Sequence, residues 1–173
     1  SLDTDPIDVA STHTKVSILQ NAVSFDEELL LFSEQSQFMV TGGATLTASN
    51  ISINVTTEFE ADKRVKPVGS GSNVFFTFAK GNFTGVREFF VASDTDTKKA
   101  DDITANVPKF VPANVFKLAT STTENILIAL SSDEDNALYV FQYYVAQNKR
   151  LQSAWHKWTY GTSTCLLYTS PSP

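Results

Sequence analysis

The sequence predicts an all-β protein, a partial β-propeller of about three antiparallel meander blades with at most a short helix near 101–107. Three observations predict it. Residues 124–158 read ENILIALSSDEDNALYVFQYYVAQNKRLQSAWHKW, three apolar runs separated by short polar turns, the pattern of a β-meander. Related strand pairs recur upstream, with second strands starting near Leu29, Val74 and Ile126, a loose spacing of about 45 to 50 residues that suits propeller blades. A hydrophobic content of 42%, with 12% aromatic residues over 173 positions, is ample for a core and excludes disorder across the whole chain.

In chain order, residues 1–14 read as an extended lead-in. The first blade spans 15–62. Its runs KVSILQNAV (15–23), ELLLFS (28–33) and QFMVT (37–41) are short, apolar and separated by DE and EQS turns. Gly42 and Gly43 break the pattern. Ile51, Ile53 and Val55 then alternate with Ser52, Asn54 and Thr56 at the period of two of a half-buried strand, which makes this the outer strand of the first sheet.

The second blade and its linker span 63–107. Residues 66–73 (KPVGSGSN) form a glycine- and proline-rich connection, so GSGSN reads as a flexible inter-blade loop. The runs VFFTF (74–78) and VREFFV (86–91) make a hairpin around KGNFTG. Residues 94–99 (DTDTKK) read as a polar loop, and 101–107 (DDITANV) as an acidic cap followed by one or two helical turns before Pro108.

The third blade spans 108–160. Pro108 and Pro112 bracket an extended KFV segment, and strands follow at 115–119, 126–130, 138–145 and 153–160. The remainder, 161–173, changes composition abruptly and reads as a non-native tail, which removes Cys165 from the redox argument. Ser1 at the start and Met39 as the single methionine mark the chain as a fragment of a longer product. A blade cannot bury both of its faces alone, so it needs a neighbour on each side, and three blades do not close a ring.

Nineteen acidic against thirteen basic residues give a net charge of −6, which repels phosphate backbones and argues against sequence-specific nucleic-acid reading. It does not forbid DNA from passing nearby, because a conduit for a polyanion is better lined with like charge than with cations. One cysteine closes no intramolecular disulfide, and two histidines without a cysteine or histidine partner make a poor zinc site. No apolar run approaches the roughly 20 residues that span a bilayer, and the first residues lack the features of a signal peptide, so no stable membrane insertion is expected. The Asn50, Asn54 and Asn82 glycosylation triplets then carry no meaning.

The run KVSIL through ELLLFS, the segments NVTTEF and RVKPVGSG, the linker DDITANVPKFVP, and STTENILIALS leading to QSAWHKW together resemble the tail tubular protein B family, the nozzle proteins of T7-like podoviruses. The similarity runs collinearly from about Asp3 to Tyr160. It implies a structural virion protein of the tail, assembled in the host cytoplasm: a propeller core with inserted domains, in a homo-oligomeric six-fold ring below the gatekeeper ring of tail tubular protein A. It also implies contact with tail fibres, and a tube through which the genome leaves without sequence-specific DNA binding. Residues 54–59, 101–112 and 155–158 are framework segments under this resemblance. It carries over no catalytic residue, cofactor or metal ligand, and the chain is expected not to be an enzyme.

Trp155, His156, Lys157 and Trp158 offer aromatic and cationic surface for a sugar, but Trp155 and His156 point to opposite strand faces, so packing of one indole is the favoured role. DTDTKKADD resembles a calcium loop, yet Lys99 stands where glycine is needed and Ala105 where a bidentate glutamate is needed. Asp133, Glu134 and Asp135 suit a solvated hairpin turn. Glu58 and Glu60 could share a face as a glycosidase pair with Asp62 nearby, but Lys63 and Arg64 beside them suit an exposed strand end. No nucleophile elbow, phosphate-binding loop or zinc-protease motif is present. The rival readings are a glycan-binding or glycan-cleaving tail propeller and a generic protein-interaction propeller, which fold alone does not separate.

Overall fold

The computed structural model describes residues 18–43, 47, 49–146 and 149–161 and arranges them as three four-stranded antiparallel sheets. The lead-in at 1–14, most of the tail and Cys165 lie outside the described residues. Sheet 1 contains β1 (Leu19–Phe25), β2 (Glu28–Ser33), β3 (Gln37–Thr41) and β4 (Ser52–Thr57). Sheet 2 contains β5 (Val68–Ser70), β6 (Asn73–Lys80), β7 (Phe83–Ala92) and β8 (Thr97–Asp102). Sheet 3 contains β9 (Val115–Ser121), β10 (Ile126–Ser131), β11 (Ala137–Ala146) and β12 (Lys149–Thr159). Strands pair in chain order within each sheet, so each is a meander. Among the described residues there is no helix, and residues 103–106 form turns.

Two segments expected to be loops are strands. GSGSN is no flexible connection: β5 pairs with β6 from Val68↔Phe75 to Ser70↔Asn73, and Gly71 with Ser72 makes the two-residue turn between them. DTDTKK is likewise only partly loop, because β8 pairs with β7 from Ala92↔Thr97 to Arg87↔Asp102. Both strands lie at sheet edges and bury few side chains, Ser70 in β5 and Ala100 in β8. Edge strands need no apolar alternation, so periodicity does not report them.

The hairpin turns explain the registers. Asp26 and Glu27 both have positive φ, 47° and 64°, the conformation of a type I′ turn, whose twist matches the flanking strands. Gly71 and Gly81 sit at φ 61° and 60° in the β5–β6 and β6–β7 turns, where glycine adopts a left-handed backbone without steric cost.

Sheet 2 lies between the other two. Phe25, Leu30, Phe32 and Met39 of sheet 1 pack on Val74, Phe76 and Phe89 of sheet 2. The ring pairs Phe25–Phe89 and Phe32–Phe76 meet edge-on at 5.1 Å. On its other side, Phe75 and Val86 pack on Leu118, Leu127, Tyr139, Phe141 and Tyr143 of sheet 3. The first strands lie together, β5 against both β1 and β9, while the last strands β4 and β8 touch further out. Alternate residues of β6 thus serve two interfaces, which the period of two in a strand makes possible.

Gly85 shows how tightly sheet 2 is built. It stands opposite Phe78, whose ring covers it, and a Cβ there would lie 2.2 Å from Phe78 Cζ. The ring has little room to yield, because the Arg87 guanidinium stacks over both Phe78 and Phe59, at 4.8 and 3.8 Å from their centroids. Gly85→Ala is therefore expected to destabilise the protein by about 1–3 kcal/mol through overpacking, as a lower urea midpoint with unchanged slope.

Candidate functional site

The polar side chains that converge in this structure do so where one sheet or segment joins the next. The first joint is at Gln37, fully buried in β3. Its amide nitrogen donates to the Phe59 carbonyl at 2.8 Å, and its amide oxygen accepts from the Thr57 hydroxyl at 2.7 Å and the Phe59 N–H at 3.3 Å. A buried amide must satisfy its donors and acceptors, and here it does so by fixing the path of the chain out of β4. This is the 54–59 segment picked out by the resemblance.

The second joint is the segment after β8. Thr104 is fully buried. Its hydroxyl accepts from the Val86 N–H at 3.2 Å and donates to Asp102, and its N–H donates to Asp102 Oδ1 at 2.9 Å. Further along, Thr84 of β7 holds the Val111 carbonyl through its N–H and the Pro112 carbonyl through its hydroxyl, at 3.0 and 2.8 Å. Trp155 of β12 donates its indole N–H to the Ile103 carbonyl at 2.9 Å, and its ring packs between Phe110 and Phe141. Residues 102–112 thereby tie sheet 2 to sheet 3.

The third joint is ionic. Glu88 of β7 is 4% exposed in the middle of the run VREFFV. Arg150 of β12 grips it with two nitrogens, Nη1 to Oε1 at 2.6 Å and Nη2 to Oε2 at 2.7 Å, and Asn73 donates to Oε2 at 3.0 Å. The guanidinium also lies over the Tyr143 ring at 4.4 Å from its centroid. Both carboxylate oxygens are engaged, so the pair clamps sheet 2 to sheet 3. Beside it a cleft of about 880 Å³ opens at the rim where turns of all three sheets meet, lined by Phe25, Asn73, Phe90, Tyr143, Lys149 and Arg150 among others.

Each residue singled out from the sequence has a place in this frame. Trp155 faces inward opposite Phe141, whereas Trp158 faces outward opposite Leu138 and is exposed, so the two indoles do not form one stacking patch. His156 shares the outward face. Glu58 and Glu60 are exposed on either side of the half-buried Phe59. Asp62 is gripped by Arg64, Nε to Oδ1 at 3.0 Å and Nη2 to Oδ2 at 2.7 Å, and that hydrogen bonding holds its carboxyl below the usual range. In the β10–β11 turn, Asp133 accepts from Asn114 at 2.9 Å and Glu134 pairs with Lys157 at 2.6 Å. Thr95 and Thr97 bond to one another across the β7–β8 turn, and Lys99 and Asp101 fall within β8. Among the described residues no group of three or more potential metal ligands converges.

Sequence reasoning did not single out Gln37, Glu88, Thr104 or Arg150. Glu88 carried a signal: it shares its strand face with Val86 and Phe90, and a carboxylate on an apolar face requires a partner.

Asp102 supplies a pH test. Burial raises its carboxyl, but hydrogen bonds from Lys80 and from the Thr104 hydroxyl and N–H, with the Lys80 charge, outweigh that and hold it below its ordinary value. A depressed folded-state value stabilises the protein above the unfolded value, and this stability is lost as pH falls through the folded one. Stability should therefore drop as pH falls below about 4, and urea midpoints from pH 7 to 3 should fall less steeply for Asp102→Asn than for the parent.

The family model described as bacteriophage nozzle protein matches residues 1–171. Tail tubular protein gp12 of Escherichia phage T7 is 35% identical over 166 residues, which are 95% of this chain and 21% of that protein. The chain thus spans about a fifth of the length of this curated relative.

Proposed function

The chain belongs to the bacteriophage nozzle protein family, and on that premise we propose that it is a wall segment of a short phage tail's nozzle, the tube through which the genome is ejected into the host. The observation that carries this reading is the family match across nearly the whole chain. The structure supports it, because its buried polar groups are engaged in holding the frame together: Gln37 and Thr104 fix the chain as it leaves β4 and β8, and Glu88 joins sheet 2 to sheet 3.

In this reading the three meanders are successive blades, at 15–62, 63–107 and 108–160, of a propeller completed by the rest of the protein. The work is mechanical and no reaction is catalysed. Stacked sheets transmit load through continuous hydrogen-bonded strands and close-packed side chains, which have low compressibility. The full-length protein forms a six-fold ring that meets the gatekeeper ring above it and the tail fibres around it. The net charge of −6 suits a conduit for DNA, since like charge keeps a passing polyanion from adhering.

A phage with an amber codon in this gene, grown with and without a complementing full-length copy, tests the reading. Without the protein, particles should package DNA yet lack the distal tail tube and fail to infect. Complete tails and normal genome ejection in its absence would overturn the assignment.

A further inference from the structure

The β11–β12 hairpin is longer than the sheet it belongs to. β10 pairs with β11 only as far as Gln142, whereas β11 and β12 stay paired out to Ala146↔Lys149, so their ends form a two-stranded ribbon beyond β10. Within the ribbon the register steps from Tyr144↔Gln152 to Val145↔Arg150, which makes Leu151 the extra residue of a β-bulge. The bulge lets Arg150 reach Glu88 and leaves Leu151 60% exposed, close to the exposed Lys149. Bulges and lysines on an edge strand hinder strand-to-strand pairing, so the ribbon is suited to contact through its side chains. Residues 136–160 include Lys149, Arg150 and Lys157 and no acidic residue.

Sheet 1 carries the opposite charge. Residues 18–65 hold seven acidic and two basic side chains. Glu34, in the β2–β3 turn, and Glu60, after β4, are exposed and stand on adjoining backbone, since the Ala61 N–H donates to the Glu34 carbonyl at 3.0 Å. Neither glutamate, nor Lys149, makes an ion pair with a described residue. The two surfaces do not meet within one copy. Lys149 lies with the β1–β2 turn at the rim cleft, Glu34 stands at the other end of β2, and sheet 2 separates sheet 1 from sheet 3.

We propose that the ribbon docks on the Glu34 and Glu60 corner of a second copy, with Lys149 against the carboxylates and Leu151 covered beside it. Charge complementarity selects this occupant, because opposite free charges stand at opposite ends of the molecule. A contact between two different surfaces is head-to-tail, and it gives a ring where the rotation closes. The inference rests on the ring of the nozzle reading, and it names the surfaces by which one copy holds the next.

Charge-swapped variants of the full-length phage protein test it, with assembly followed by mass photometry. Lys149→Glu in one chain, and Glu34→Lys with Glu60→Lys in another, each set like charges across the contact and should raise the concentration for half assembly about tenfold. An equimolar mixture of the two should return to the parental value, because alternating copies restore opposite charges at every contact. Leu151→Ser, which alters no charge, should weaken assembly as well. Parental assembly by each variant alone would overturn the proposal, as would a mixture that fails to recover although both variants keep the parental urea midpoint, or an unchanged Leu151→Ser protein. A ring-forming parent whose variants assemble normally sinks only this contact, whereas a parent that stays monomeric sinks the ring reading and the contact with it.

Discussion

Arg150→Ala is expected to destabilise the protein by about 3–5 kcal/mol, because it takes both guanidinium donors from the buried Glu88 carboxylate and leaves it the neutral Asn73 amide. The cost arises from stranding one charge, not from the worth of the pair. Arg150 is itself 28% exposed beside an open cleft, so water entering the space should place the effect toward the lower end of that range. The double variant Glu88→Met with Arg150→Met removes both charges and keeps much of the volume, and should restore most of the loss. Urea denaturation of the two single variants and the double variant measures the coupling between them. A loss below about 1 kcal/mol for Arg150→Ala would contradict the reading of this pair as an inter-sheet clamp.

Phe75→Ala should cost about 3–5 kcal/mol by opening a cavity between sheets 2 and 3. Phe75 is fully buried, and its ring centroid lies 6.5 Å from that of Phe141 and 6.4 Å from that of Tyr143. It shares its core cluster with Leu127, Ala129 and Tyr139, which are themselves buried. The damage should also be directional. Amide exchange should rise in β10 and β11, on the weakened interface, before it rises in β2, which packs on the opposite face of sheet 2. Equal acceleration in sheets 1 and 3 would show that the three sheets unfold as one cooperative unit.

The central strands were legible in the sequence because they are buried. ELLLFS and QFMVT coincide with β2 and β3 end to end, and VFFTF, ILIAL and LYVFQYYV lie inside β6, β10 and β11. The apolar run ends at Val23, but β1 continues through Ser24 and Phe25 to the turn. KGNFTG contracts to a two-residue turn at Gly81 and Asn82, because Phe83 and Thr84 extend β7. The edge strands β5 and β8 were not legible, since backbone pairing rather than side-chain burial defines them. That one indole packs inward followed from strand parity. The joints did not, because Gln37 with Thr57 and Phe59, and Glu88 with Arg150, are relationships between distant residues whose partners local sequence does not name.

Electron cryomicroscopy of the intact infectious particle at side-chain resolution addresses the whole account. The tail-tube wall should contain these three meanders in every copy of the protein, with the Trp155 indole on the Ile103 carbonyl and Arg150 forked onto Glu88. Finding the residues of β1 to β12 outside the tail, or within it as separated sheets with that ion pair broken, would contradict it.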